Sequence, residues 1–360
     1  MPRRRAGKES GSKEVHHHHH HHHHHETKRN GKRSKCTCLR AFLIILATVY
    51  VACLLGIKFS RTIQDGVVYL HWLNLPFFHN LSNPDEFYGL EKARSFHLPL
   101  ASGKGHIGVW HILPNDPYRS MSAPQTDKQF DDALANGQPV IMYMHGNLGS
   151  RGTYHRIRLY QLLSSLGSHV LSLDYQGFGD STGWPTESGM ADDGRVVWEW
   201  ARERIRRKGG PTYIWGHSLG SAGATLLSKQ LCETGSSSLS GLILEAPITN
   251  IIDAAMSHPF SYPFRYLPFF RDYVIGSLPE KFDSLSRISN LTCPILVLHG
   301  SRDQVVPIDH GHKIHEEGVR TGRSITFHEF PDAGHKTIKD DPNVETILRH
   351  FFDLTKPKID

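Results

Sequence analysis

The sequence predicts an α/β domain, a mostly parallel sheet with helices on both faces, preceded by one apolar helix. Three observations carry that expectation. Short apolar runs at Val140–Met144, Val170–Tyr175, Tyr213–Trp215, Leu242–Glu245, Ile295–His299 and Ile325–Phe330 alternate with helical patterns. Strands buried on both faces by crossover helices read this way. One of these strands runs into Gly216-His217-Ser218-Leu219-Gly220 and then into small residues and helix formers. The other short motifs with reactive side chains also directly follow strands, at the end of a parallel sheet where sites form.

From the N-terminus, residues 1–38 read as a basic, His-rich, disordered tail without apolar period. The run His16–His25 suits metal binding, a natural homopolymer or a tag, and no function is assigned to it. Residues 1–40 hold eleven Lys/Arg against three Glu, a net +8, while the whole chain is +6. The remainder is therefore near −2, which gives the folded part no basic surface for nucleic acid.

Residues 39–59 are expected to span a membrane as a helix. Ala41–Ile57 is uncharged, and Arg40 and Lys58 can snorkel at its ends. A cleaved signal peptide needs a start nearer Met1, a shorter apolar core and a small-residue cleavage site. Arg29, Lys32, Arg33, Lys35 and Arg40 precede the span, against Lys58 and Arg61 after it. That bias puts the N-terminus in the cytosol and the domain on the other side. Asn80-Leu81-Ser82 and Asn290-Leu291-Thr292 are sequons that permit glycosylation there. Cys36 and Cys38 are candidates for palmitoylation; Cys232 and Cys293 allow one disulfide by count but are read as separate buried thiols.

Residues 60–100 are read as a membrane-proximal linker and 101–360 as the domain, with a strand at His106–Leu113 and an exposed excursion at Ser120–Gly137. Helices are expected at Tyr154–Leu166, Ser188–Arg207, after Ser218, at Asp309–Arg320 and at Pro342–Phe352. An aromatic insertion at about 247–285, including SHPFSYPFRYLPFFRDYV, is expected to form a small cap whose rings mostly pack onto the core. Its Arg265 and Arg271 are read first as solvated charges and second as contacts for a phosphate or carboxylate head group.

The turn at Ser218 needs glycine at both flanks and pushes the serine hydroxyl out over the sheet edge. Ser218 is the candidate nucleophile. Backbone N–H groups of Asn147, in His145-Gly146-Asn147, and of Leu219 are the candidate oxyanion donors. His335, in Gly334-His335, is the candidate base, and Asp303, after Ile295–His299, the acid that orients it. Glu245 competes as the acid; Asp303 is preferred because its loop runs towards the last strand. Asp174, in DYQGFGDS, is read as structural. Acyl transfer through such a triad needs no metal or cofactor.

The motifs HGN, DYQGFGDS, GHSLG, HGSRDQVVP and GH together resemble the α/β-hydrolase fold over about residues 100–355. YIWGHSLG, LILEAPITNI, SHPF and FRYLPFF further resemble the α/β-hydrolase domain-containing protein 12 family. The resemblance implies a single-span, glycosylated serine hydrolase of the endoplasmic reticulum membrane with a lumenal domain. It implies lysophosphatidylserine and monoacylglycerol as substrates, with Ser218, Asp303 and His335 as the triad. The expected function is a membrane-anchored lipase acting on single-chain lipids, with no obligate protein partner. An acyl-protein thioesterase and a non-catalytic binding protein are the competing expectations.

Overall fold

The computed structural model describes residues 21–73, 80–115, 126–205, 210–235, 239–262, 265–266 and 269–356, without the side chains of residues 21–36, 260 and 274. Outside the described residues lie the first twenty positions with His16–His20, the aromatic Phe77 and Phe78, residues 116–125 of the expected excursion, and Phe264. The chain divides into two units, residues up to Gly56 and Ile57–Asp360.

Helix α1 (His21–Phe59) contains the apolar stretch Thr37–Phe59, with a mean hydropathy of 2.4, long and apolar enough to cross a membrane. The helix continues on the N-terminal side of the apolar stretch, so the described residues 21–38 are helical where the sequence suggests a disordered tail. Apolar periodicity reports a packed face, and polar helix formers such as Glu26, Lys28 and Arg29 propagate a helix without one.

The second unit is an eight-stranded sheet, in the order β1-β2-β4-β3-β5-β6-β7-β8. The strands are β1 (Ala93–Pro99), β2 (His106–Ile112), β3 (Val140–Met144), β4 (His169–Leu173), β5 (Thr212–His217), β6 (Gly241–Glu245), β7 (Ile295–Gly300) and β8 (Ile325–Phe330). From β4 to β8 every pairing is parallel, and β1 and β2 join antiparallel at one edge. Helices α5 (Tyr154–Ser165), α6 (Glu187–Ile205), α7 (Leu219–Glu233), α10 (Asp309–Arg320) and α11 (Val344–Thr355) accompany the parallel strands, close to the positions the sequence predicts. Burial explains the agreement: β3 to β7 are buried at every position, so each reads as a continuous apolar or small-residue run.

The sequence misplaces the start of the domain. Helices α2 (Arg61–Tyr69) and α3 (Pro84–Tyr88) and the whole of β1 fall in the expected linker, and β1 pairs with β2 along its full length. Its signal is hidden because the buried Arg94 occupies an inward position and is held by Asp127 and Asp131. Those two acids belong to α4 (Asp127–Ala133), which stands in the expected exposed excursion and buries Phe130 and Ala133. Thr126 and Gln129 form a reciprocal cap at its start.

The insertion carries α8 (Ile251–Ser257) and α9 (Ser284–Ile288). Its rings do not mostly pack inward. Tyr262, Tyr266, Phe269 and Tyr273 are exposed, Tyr266 at 83%, whereas Phe270 is buried. Composition alone does not separate a ring that faces the core from one that faces a lipid–water boundary, where tyrosine and tryptophan gather.

Two features tie stability to buried polar groups. Arg151, fully buried, donates to Asp174 and to both oxygens of Asp180. Replacing Arg151 by Leu leaves the buried Asp174 without its main partner and is expected to cost about 3–5 kcal/mol, read by urea unfolding. A loss below 1 kcal/mol contradicts this account. Burial also pushes His169 down to about 3 and His310 to about 4, from an ordinary 6.5, and lowers His111 and His217. These rings stay neutral in the fold while the unfolded chain takes up their protons. The contribution of these histidines to stability is then full above pH 6.5 and falls as the pH drops towards 4. A urea midpoint that stays flat across that window contradicts the argument.

Candidate active site

The turn after β5 holds Ser218 at φ 54°, ψ −124°, a left-handed conformation that strains any side chain but glycine. The flanking glycines are needed for space. A Cβ on Gly216 would lie 2.6 Å from the Cα of Ser221, and one on Gly220 2.2 Å from the carbonyl oxygen of Met144. Ser218 donates its N–H to the carbonyl of Glu245 at 3.0 Å, and α7 starts with Leu219, whose N–H is one of the unpaired donors at a helix N-terminus.

Asp303 and His335 meet this serine from the loops after β7 and β8, two and three strands along the sheet from β5. His335 Nε2 lies 3.0 Å from Ser218 Oγ, and His335 Nδ1 lies 2.7 Å from Asp303 Oδ2. With Nδ1–H donated to a carboxylate, Nε2 is free to accept the serine proton. The two loops are zipped together: Ser301 N–H donates to Phe330 O and Arg302 N–H to Ala333 O. Gly300 allows this, since a Cβ there would lie 2.3 Å from the Ala333 oxygen.

Asp303 is buried, which by itself raises a carboxyl pKa. Hydrogen bonds from His299, His335 and the Val306 N–H outweigh burial and hold it below the usual carboxylate range. Its Oδ1 accepts from the N–H groups of Val305 and Val306 at 2.9 and 2.8 Å. Glu245, the rival acid, does not reach His335. It accepts from Trp215 Nε1 at 2.9 Å, and burial pushes it up to about 7. Asp174 binds Arg151 and His145 instead.

The expected oxyanion loop, His145 to Ser150, follows β3. Arg156, buried on α5, donates to the carbonyls of Gly146, Asn147, Leu148 and Ser150, so one guanidinium gathers the backbone of the whole loop. From the other side, Asn147 Nδ2 donates to Val68 O at 3.3 Å and Leu148 N–H to Tyr69 O at 3.1 Å. These are carbonyls in the last turn of α2, which have no partners within the helix.

Two of these residues escaped sequence reading. Arg156 shares a helical face with the buried Tyr160 and Leu163, and a charge on an apolar stripe is the signal that could have found it. His217, next to the nucleophile, donates from Nε2 to the His335 carbonyl at 3.0 Å and fixes that loop from below. Burial, with the nearby His335, lowers its pKa and keeps it neutral.

In the insertion, Arg271 pairs with Asp253 at 3.6 Å, and Arg265 lies over the ring of Tyr262. Both sequon asparagines, Asn80 and Asn290, are exposed, as is Cys38; Cys36 lies outside the described side chains. Two small cavities lie away from Ser218, one between β3 and α6 and one between α2 and Leu278–Phe282.

Comparisons with known proteins bear on the family and the fold. Residues 135–268 match the family described as Serine aminopeptidase, S33, and residues 274–347 the Dienelactone hydrolase family. A Danio rerio protein named lysophosphatidylserine lipase ABHD12 is 38% identical over 329 residues, covering 89% of this chain and 85% of that protein. Its Rattus norvegicus namesake is also 38% identical, over 89% of this chain and 81% of its own. The Homo sapiens protein ABHD12B is 36% identical over 80% of this chain and 79% of its own. Among solved structures, an alpha-beta hydrolase from Vibrio vulnificus superposes with a TM-score of 0.62 at 16% identity, covering 79% of this chain and 91% of that one. The Pyrococcus furiosus esterase Pf2001 gives 0.57 at 15%, over 77% and 94%. The chain belongs to the ABHD12 family of α/β-hydrolases and is a serine ester hydrolase.

Proposed function

We propose that this chain is a membrane-anchored lipase that cleaves the fatty-acyl ester of a single-chain lipid, lysophosphatidylserine or a monoacylglycerol. The observation that carries the reading is the continuous hydrogen-bond chain Ser218–His335–Asp303 at the N-terminus of α7. His335 Nε2 takes the Ser218 proton as Oγ attacks the ester carbonyl, and the Asp303 carboxylate stabilises the resulting imidazolium through Nδ1–H. Negative charge on the carbonyl oxygen is met by the N–H groups of Leu219 and Asn147. The protonated His335 then hands its proton to the leaving alcohol. In the second half-reaction, water activated by the same ring releases the fatty acid.

The substrate class draws on the names of the relatives and on the exposed apolar side chains of the domain. Ile63, Val67 and Trp72, on the elements that follow α1, and Tyr266 and Phe269, in the insertion, are exposed and of the kind suited to a lipid–water boundary. The apolar stretch Thr37–Phe59 is proposed to anchor the chain in the endoplasmic reticulum membrane, with the N-terminus cytosolic and the catalytic domain lumenal.

Ser218→Ala is expected to abolish hydrolysis of a lysophospholipid and monoacylglycerol panel while leaving the melting curve unchanged. Ample residual turnover would mean that another residue attacks. Asp303→Asn is expected to lower kcat on the order of 10³–10⁴, as loss of the orienting carboxylate does in other triads. Glu245→Gln keeps an acceptor for Trp215 and is expected to change kcat by less than about tenfold; if it proves the severer change, the assignment of the acid is wrong. Topology is read separately. Endoglycosidase treatment of the protein from its native membrane is expected to shift its mobility, and mutating both Asn80 and Asn290 to Gln to abolish the shift. An unshifted wild type rejects the lumenal placement.

A further inference from the structure

The last turn of α7 and the loop that enters β7 bring together two cysteines that the sequence suggests are separate. Cys232 is half-buried, Cys293 is buried, and both are free thiols. Thr292 donates its backbone N–H to Cys232 Sγ at 3.5 Å, so one sulfur lies against the peptide unit that leads into the other cysteine. The two thiols are also hydrogen-bonded to each other. The loop itself is held in place, with Arg323 donating to the carbonyl of Leu291 at 3.1 Å. Ester hydrolysis uses neither sulfur.

We propose that Cys232 and Cys293 form a reversible dithiol–disulfide site. It joins the far end of α7, whose near end follows Ser218, to the segment that leads through β7 to Asp303. The two sulfurs are chemically unequal. The hydrogen bond from Cys293 pushes the Cys232 thiol down to about 5, whereas the same bond and burial push Cys293 up. Cys232 is therefore the attacking thiolate. It displaces one half of an oxidant's disulfide as a thiol and forms a mixed disulfide. Cys293 then loses its proton, attacks the Cys232 sulfur and releases the oxidant's second half. The chain gives up two electrons and two protons, and the oxidant's S–S bond is reduced to two thiols. Small-molecule and protein disulfides of an oxidising compartment are the class of oxidant required. Formation in the cell thus rests on the lumenal placement proposed above; formation in vitro does not.

The full chain in detergent micelles is equilibrated with oxidised glutathione, free thiols are trapped by alkylation, and cysteine peptides are mapped by mass spectrometry. The expected result is a linked Cys232–Cys293 peptide pair and a Tm about 5 °C or more above that of the reduced protein. No such gain is expected in Cys232→Ser or Cys293→Ser. Recovery of both cysteines in alkylated form, or a glutathione adduct that persists on Cys232, overturns the proposal. If the serine variants fail to fold, the oxidised and reduced wild type decide alone. Mapping after trapping in intact cells reads location: a pair linked in vitro but reduced in cells rejects the lumenal placement and leaves the site standing.

Discussion

Helix α7 starts where it does because Gly220 rests against the carbonyl oxygens of Met144 and His145, and no residue with a Cβ fits there. That single contact fixes two things together. It sets the position of the N-terminus of α7, and hence of Leu219 and Ser218, relative to the end of β3. It also sets the start of the loop that carries Asn147, because Met144 and His145 are where β3 gives way to it. Ser218 and the loop of Asn147, which follow different strands, are registered by backbone touching backbone, which has no rotamers to adjust. Gly300 repeats the device between the loops of Asp303 and His335, where the blocking atom is the Ala333 oxygen. The reactive side chains are thus held by close main-chain packing that only glycine permits.

The loop of Asn147 is restrained from both sides by groups of opposite kind. Beneath it, the buried guanidinium of Arg156 collects the carbonyls of Gly146, Asn147, Leu148 and Ser150. Beside it, the last carbonyls of α2 take the Asn147 side-chain amide and the Leu148 N–H. Helix α2 also reaches the root of the insertion, where Arg61 and Tyr69 both bond Glu280. A second tie comes from His310 on α10, which accepts the Thr249 N–H and lies 3.3 Å from the Ser257 hydroxyl. One short helix therefore bridges two parts of the site that the chain separates by more than a hundred residues. Removing any one bond costs little, but the loop has few conformations left that satisfy the rest.

Legibility in the sequence followed burial. Strands β3 and β8 and helix α10 stand where apolar period places them, because their packing is of the ordinary kind that period reports. That Ser218, Asp303 and His335 come within hydrogen-bond reach of one another was legible for a related reason: each follows a strand, and strands in a parallel sheet end on one side. What escaped has charge or context in place of period. Strand β1 hides behind Arg94, α4 behind its acids, and α2 is too short to show a pattern. Arg156 and His217 act through backbone carbonyls; a charge on the apolar stripe of α5 marks the first, and no side-chain pattern marks the second. The cysteines at 232 and 293 are neighbours only because α7 and the approach to β7 run side by side. The insertion misled in the opposite direction, since among its described rings Tyr262, Tyr266, Phe269 and Tyr273 are exposed.

Two carboxyl groups end adjacent parallel strands in this site, and their surroundings separate their chemistry. Glu245 is buried and accepts from the indole N–H of Trp215, too little to offset desolvation, and it is pushed up to about 7. Asp303 is also buried but receives two backbone N–H groups as well as His299 and His335, and it is held low. Only a group that stays ionised can steady a positive imidazole during acyl transfer, and only one that reaches Nδ1 can fix the ring's tautomer. Asp303 meets both conditions through a loop that turns back on itself to offer the N–H groups of Val305 and Val306. What separates the two carboxyl groups is thus the loop that follows β7, where His299, His335 and the Val306 N–H together outweigh the burial of Asp303 and hold it charged.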